Sequence, residues 1–179
     1  GGGCAPRRPT AEAVRRSPSR ATGRREAVAD FRSRASGPED FAILFLEGGG
    51  SLQFAQVPLN LLADGDTAGY VNTGTWASKA LGDAELVAPV YEAWSGADGG
   101  FSRMPATDEI EVRDDARFLH VTSNETIGGI RFPELPSVGV PLVSDMSSDF
   151  LSRAIDWDAH DLVYGGAQKN LGPAGMAVV

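Results

Sequence analysis

The amino-acid sequence predicts an α/β fold, and two observations carry that reading. From Phe41 onward, short apolar runs alternate with stretches of helix-like spacing. Each apolar run ends in small or polar residues, which is how strands that open onto a ligand crevice read in an open α/β sheet.

The elements follow in chain order. Phe41–Leu46 reads as a buried strand, Gly48-Gly-Gly50 as a tight turn, and Ser51–Leu62 as a helix with Leu52, Val57, Leu59 and Leu62 at apolar positions and Pro58 interrupting it. Gly69-Tyr-Val71 precedes Asn72-Thr-Gly-Thr-Trp76. Arg117–Thr122 precedes Ser123-Asn-Glu-Thr126, and Pro141-Leu-Val-Ser144 precedes Asp145. Leu162-Val163 leads into a glycine-rich turn that carries Lys169, and Ala177-Val-Val179 reads as the following strand. The loops after these strands are expected to converge on one site.

Composition narrows the function classes. At 179 residues and 42% apolar content, the chain suffices for one sizeable globular domain. Residues 1–36 carry nine Arg against Glu12, Glu26 and Asp30, so they net +6, while the remainder nets −14. An acidic body is a poor nucleic-acid surface, because phosphate contacts need clustered Lys and Arg. The opening segment shows no sustained apolar periodicity and is expected to be disordered; its Arg- and Ser-rich, acid-poor character also resembles an organelle transit segment. No apolar run reaches bilayer-spanning length. Cys4 is the sole cysteine, and His120 and His160 form no ligand-spaced pair, so no multi-cysteine or zinc centre is expected and a cytoplasmic compartment is the simplest reading.

Chemistry is expected at few positions. Lys79 and Lys169 are the only lysines. Lys169 leaves a strand on a glycine-rich turn, although a solvated surface lysine is the commoner case. Asp145 ends a strand, where a carboxylate can serve a cationic heteroaromatic ring, cap a helix or form an ion pair. Gly48-Gly-Gly-Ser51 places a strand, a turn and a helix start in succession, which offers backbone N–H groups to an anion or simply reverses the chain. Trp76 can stack on a flat ring or fill a core, and Thr126 can donate its hydroxyl or cap a loop.

Taken together, Leu46-Glu-Gly-Gly-Gly-Ser-Leu-Gln-Phe54, Val71-Asn-Thr-Gly-Thr-Trp76, Ser123-Asn-Glu-Thr-Ile127, Asp145-Met-Ser-Ser-Asp-Phe-Leu-Ser-Arg153 and Gly166-Ala-Gln-Lys-Asn-Leu-Gly-Pro-Ala-Gly175 resemble the phosphoserine aminotransferase family of class V pyridoxal-phosphate enzymes. The likeness runs from about Phe41 to Val179. It implies the large domain of the aspartate-aminotransferase fold (fold type I), with a mostly parallel sheet flanked by helices. It also implies amino transfer between glutamate and 3-phosphohydroxypyruvate in serine biosynthesis, by a homodimer. Position by position, Lys169 would hold the aldehyde of pyridoxal 5'-phosphate and move the substrate's proton, Asp145 would pair with the pyridine nitrogen and Trp76 would stack on the ring. Thr126 would contact the 3-hydroxyl, and Gly50, Ser51 and Gln168 would bind the phosphate.

Two departures qualify the resemblance. The family's opening Ser-His-Arg element has no counterpart in residues 1–40. Residues 37–179 are expected to form only part of the cofactor-binding domain, so the chain by itself is expected not to turn over; the alternative to the aminotransferase function is an inactive fragment that binds cofactor or a partner subunit without turnover. A cysteine desulfurase fits less well, since that class needs a catalytic cysteine and Cys4 lies outside the matching region.

Overall fold

The computed structural model describes residues 18–179, and the chain divides into two units between Phe41 and Ala42. In the first unit, Pro18–Ala35 form a helix (α1) where the sequence analysis expected none; residues 1–17 lie outside the described part. Helix α1 lacks an apolar stripe, so the signal that periodicity relies on is missing, and good helix formers such as Arg, Ala and Glu carry it instead. Arg32 and Arg34 stand in its last turn, where cations complement the helix dipole. The Arg32 guanidinium donates to the Phe41 carbonyl at 2.7 Å and also to that of Pro38, which secures the exit from the helix.

The second unit is built on a seven-stranded sheet of order β1-β9-β8-β7-β4-β2-β3, made of Phe45–Glu47 (β1), Thr67–Asn72 (β2), Val90–Ser95 (β3), Ala116–Thr122 (β4), Leu142–Asp145 (β7), Leu162–Gly166 (β8) and Met176–Val178 (β9). The five strands from β8 to β3 pair in parallel, while β9 runs antiparallel to both β8 and β1. A two-stranded hairpin, Asn124–Glu125 (β5) and Ile130–Arg131 (β6), stands apart from this sheet. The first strand is shorter than expected: Phe45–Glu47 pair with Met176–Val178, and Leu44 exchanges two further backbone hydrogen bonds with Val179.

Helices Gly49–Leu61 (α2) and Thr75–Glu85 (α3) cover one face of the sheet. Phe54 and Val57 of α2 and Ala80, Leu81 and Ala84 of α3 pack there on Tyr70, Phe118, Val143 and Tyr164. The other face is covered by non-helical chain, with Ile110 and Phe132 buried against Val71, Leu119, Val121 and Leu142. Pro58 is accommodated inside α2 with its ring buried, and Leu62 N–H donates to the Pro58 carbonyl at 3.1 Å, so the helix runs one turn past it.

Under the helices lies an aromatic group centred on His120. Its ring stacks on Tyr70 at 4.6 Å between centroids, and its Nε2 meets the Tyr164 hydroxyl at 2.9 Å. Burial pushes the imidazole down to about 3, so it stays neutral in the fold. Because the folded value lies below the unfolded 6.5, this stability is complete above pH 6.5 and is lost as pH falls toward 3, by roughly 1.4 kcal/mol per unit. His120→Phe is accordingly expected to lower stability at pH 7 by stranding the Tyr164 hydroxyl, yet to flatten the fall in urea midpoint between pH 6.5 and 4.5. An equally steep fall in the variant would remove His120 as the source.

Candidate active site

At the carboxyl ends of the parallel strands, the chain gathers the residues singled out from the sequence. Gly50, Ser51, Trp76, Asp145, Gln168 and Lys169 line one cleft, together with Phe54, Thr122, Asn124, Ser147 and Ser148. Thr126 joins them through its hydroxyl, which accepts a hydrogen bond from Lys169 Nζ. The same ammonium stands 5.5 Å from the centroid of the Trp76 ring, within reach of its π face. With Lys169 folded across in this way, the open space in the cleft is small, about 30 Å³. A larger hollow of about 790 Å³, between the Pro133–Val140 loop and Arg153–Asp161, contains no lysine and none of the site residues named above.

Lys169 sits where it does because β8 ends at Gly166 and the chain then turns tightly before returning as β9. Gly172 N–H donates to Ala167 O at 2.7 Å, and Asn170 Nδ2 donates to Phe150 O at 2.8 Å, which anchors the turn on both sides of the lysine. Lys79 stands in a different setting, paired with Asp83 at 3.1 Å on the surface of α3.

Asp145 is the last residue of β7 and is 4% exposed. Its Oδ1 accepts from Ser147 N–H at 2.9 Å and from Ser147 Oγ at 2.6 Å. Burial pushes its carboxyl up to about 6; the two Ser147 bonds and the nearby Lys169 charge pull it down, and Glu125 pushes it up. Ser147 also accepts from Gly166 N–H at 2.9 Å, tying β8 to the carboxylate. Ser147 is not among the residues that the sequence singles out, although an Asp followed two residues later by a hydroxyl is an Asx-type turn signal.

The N-terminus of α2 opens onto the other end of the cleft. No side chain caps it and no acidic residue lies in its first turn, so its backbone N–H groups are free to receive an anion. Gly48, at φ 96°, turns the chain into the helix. Gly50 and Gly166 face each other here. A Cβ on Gly50 would lie 2.8 Å from Ser147 Oγ, and one on Gly166 would lie 2.9 Å from Gly50 N and 2.5 Å from Gln168 Oε1. The cradle is therefore backbone on two sides with the Gln168 amide closing it.

The family model for aminotransferase class-V matches residues 6–179. The chain belongs to the class-V aminotransferases. This match extends toward the N-terminus beyond Phe41, where the sequence resemblance was expected to begin. Among similar class-V proteins, a phosphoserine aminotransferase of Dichelobacter nodosus is 51% identical over 142 residues, which are 79% of this chain and 40% of that protein. The solved phosphoserine aminotransferase of Bacillus circulans subsp. alkalophilus superposes with a TM-score of 0.86 at 45% identity, covering 92% of this chain and 46% of that one. A pyridoxal-phosphate-bound phosphoserine aminotransferase of Trichomonas vaginalis superposes with a TM-score of 0.83 at 37% identity, over 92% and 47% of the two chains. The chain thus spans less than half the length of these class-V relatives, and the fold is that of their fold-type I architecture.

The cofactor that the family implies can be tested against the side chains present. Trp76 Nε1 and Thr122 Oγ1, both on cleft residues, are buried without a hydrogen-bond partner, as expected where a polar ligand belongs. A carboxylate at one end, an uncapped helix N-terminus at the other and an amine between them match a ring with a basic nitrogen, a phosphate and an aldehyde. The residues fit the group.

Proposed function

We propose that the cleft binds pyridoxal 5'-phosphate and that residues 37–179 form the cofactor-binding part of an enzyme that moves an amino group from glutamate to 3-phosphohydroxypyruvate, giving phosphoserine and 2-oxoglutarate. The observation that carries this is the convergence of Lys169, Trp76 and Asp145, drawn from three separate segments, on one cleft. The relatives are named phosphoserine aminotransferases, and the two substrates are those that the sequence resemblance implies.

In this reading Lys169 would hold the cofactor through its aldehyde and would move the proton at the substrate's α-carbon. Trp76 supports one face of the ring, with stacking contributing about 0.5–1.5 kcal/mol beyond burial. Thr126 donates its hydroxyl to the ring oxygen. The backbone N–H groups at Gly50 and Ser51, with the Gln168 amide, hold the phosphate. Asp145 holds a proton on the ring nitrogen, which burial favours by making an uncompensated carboxylate costly. When bound, the cofactor supplies an electron sink for the carbanion that forms at the α-carbon. The partner proposed is a second copy of the chain; exposed Leu52 and Leu59 on α2 support an apolar contact of that kind. The compartment proposed is the cytoplasm.

The test of substrate class, made on the whole enzyme of which this chain is proposed to be part, is amino transfer from glutamate to 3-phosphohydroxypyruvate compared with pyruvate, which lacks the phosphate. A preference below about tenfold for the phosphorylated acceptor would remove the substrate assignment. The phosphate cradle has its own test. Gly166→Ala overpacks the contact with Gly50, a change that costs about 1–3 kcal/mol, and is expected to weaken pyridoxal phosphate more than pyridoxal in an absorbance titration. Equal loss for both ligands would place the phosphate elsewhere.

A further inference from the structure

We propose that Glu125 is a positioning residue of this cleft: its buried carboxylate clamps the first turn of α3, so that the Trp76 indole and the Thr126 hydroxyl are held in one frame. The sequence gives α3 no cap of its own. Its N-cap is Gly74, which has no side chain, and its first turn holds no acidic residue. The cap comes instead from the hairpin. Glu125 Oε2 accepts from Trp76 N–H at 3.1 Å and Oε1 accepts from Ala77 N–H at 2.8 Å, with Glu125 0% exposed. Two donors on one carboxylate satisfy two of the helix's orphan N–H groups and place its charge against the positive end of the dipole.

Gly74 makes room for this. At φ +155°, a Cβ there would lie 3.0 Å from Glu125 Cδ, inside the space the carboxylate fills. The hairpin is in turn fixed to the site, since Ser123 Oγ and N–H both donate to the Asp145 carbonyl at 3.0 Å and Asn124 Nδ2 donates to Ser148 Oγ at 2.8 Å. The Trp76 backbone is therefore held by a residue adjacent to Thr126 in the chain. The clamp also separates the two helix N-termini near the cleft: that of α3 is neutralised by Glu125, while that of α2 is left for an anion.

The clamp rests on the cofactor reading only for its consequence in binding, so two measurements are needed. Amide hydrogen exchange at Trp76 and Ala77 reports the clamp directly, and Glu125→Gln, which keeps the shape but loses the charge and one acceptor, is expected to speed it about tenfold or more. Pyridoxal phosphate titration of wild type, Glu125→Gln, Trp76→Ala and the double variant reports the coupling. The single Glu125 change is expected to weaken binding about tenfold in the presence of Trp76 and less than twofold in its absence. Should the Gln chain not fold, Glu125→Asp, which withdraws the carboxylate by one methylene, is read in the same way. Unchanged exchange, or an equal loss of affinity in both Trp76 backgrounds, overturns the proposal. A wild-type chain that binds no pyridoxal phosphate overturns the cofactor reading instead, and the exchange rates then decide the clamp alone.

Discussion

In the enzyme of which this chain is proposed to form the cofactor-binding part, Lys169→Ala is expected to abolish covalent attachment of pyridoxal phosphate and to lower amino transfer by about a hundredfold to ten-thousandfold, the range that a positioned general acid–base group commands. Borohydride reduction of the wild-type chain followed by mass spectrometry should place the pyridoxyl group on Lys169. The geometry argues against Lys79, which is engaged with Asp83 at 3.1 Å and lines no part of the cleft. Lys169 reaches Thr126 and stands over Trp76. A reduced adduct on Lys79, or full activity in Lys169→Ala, would remove Lys169 from its role.

Asp145→Asn should have two opposite effects. With cofactor bound, the amide cannot hold the proton on the ring nitrogen, and losing that charge-assisted hydrogen bond is worth about 1.5–3 kcal/mol, or roughly tenfold to a hundredfold in single-turnover rate. Without cofactor, the same change should stabilise the chain. The Asp145 carboxyl is raised to about 6 from 3.8, so the folded state binds a proton that the unfolded state has released between those values. Its favourable contribution is complete below pH 3.8 and is lost as pH rises through 6; above that the ionised group costs about 3 kcal/mol. Asn keeps an acceptor for both Ser147 donors and carries no charge. The expected result is a melting temperature several degrees higher at pH 7.5, with the gain vanishing near pH 4. An unaltered or lower melting temperature at pH 7.5 would show that Asp145 is comfortable as an anion.

The two effects describe how far this site could be read from its sequence. Strands β2, β4, β7 and β8 were legible because strands covered on both faces are continuous apolar runs, and the polar residues after them converge as that reading expects. Strand β3 escaped notice, since Val90-Tyr-Glu-Ala-Trp-Ser95 mixes exposed Glu92 with buried Tyr91 and Ala93 at the sheet edge. Helix α1 was missed for the converse reason, having order without amphipathicity. Lys169 and Asp145 announced themselves through local context, whereas Glu125 did not. A glutamate in a loop is ordinarily a solvated charge, and its partners are backbone N–H groups that precede it by 48 and 49 residues. The direction of β9 was equally hidden, because an apolar triplet carries no sign of whether it will pair parallel or antiparallel.

The placement of β1 beside β9 bears on the order in which this chain can assemble. Phe45 has no strand to join until Val178 has been made, and Leu44 exchanges both of its backbone hydrogen bonds with Val179. During synthesis, then, β1 waits on β9 before it can pair, while β2, β4, β7 and β8 can zip together in turn as they emerge. Pairings so distant along the chain are the slowest to form. The anion-binding end of the cleft is expected to mature after the parallel strands, and a refolding experiment should recover the buried aromatic signal of Tyr70 and Tyr164 before it recovers the capacity to bind phosphate.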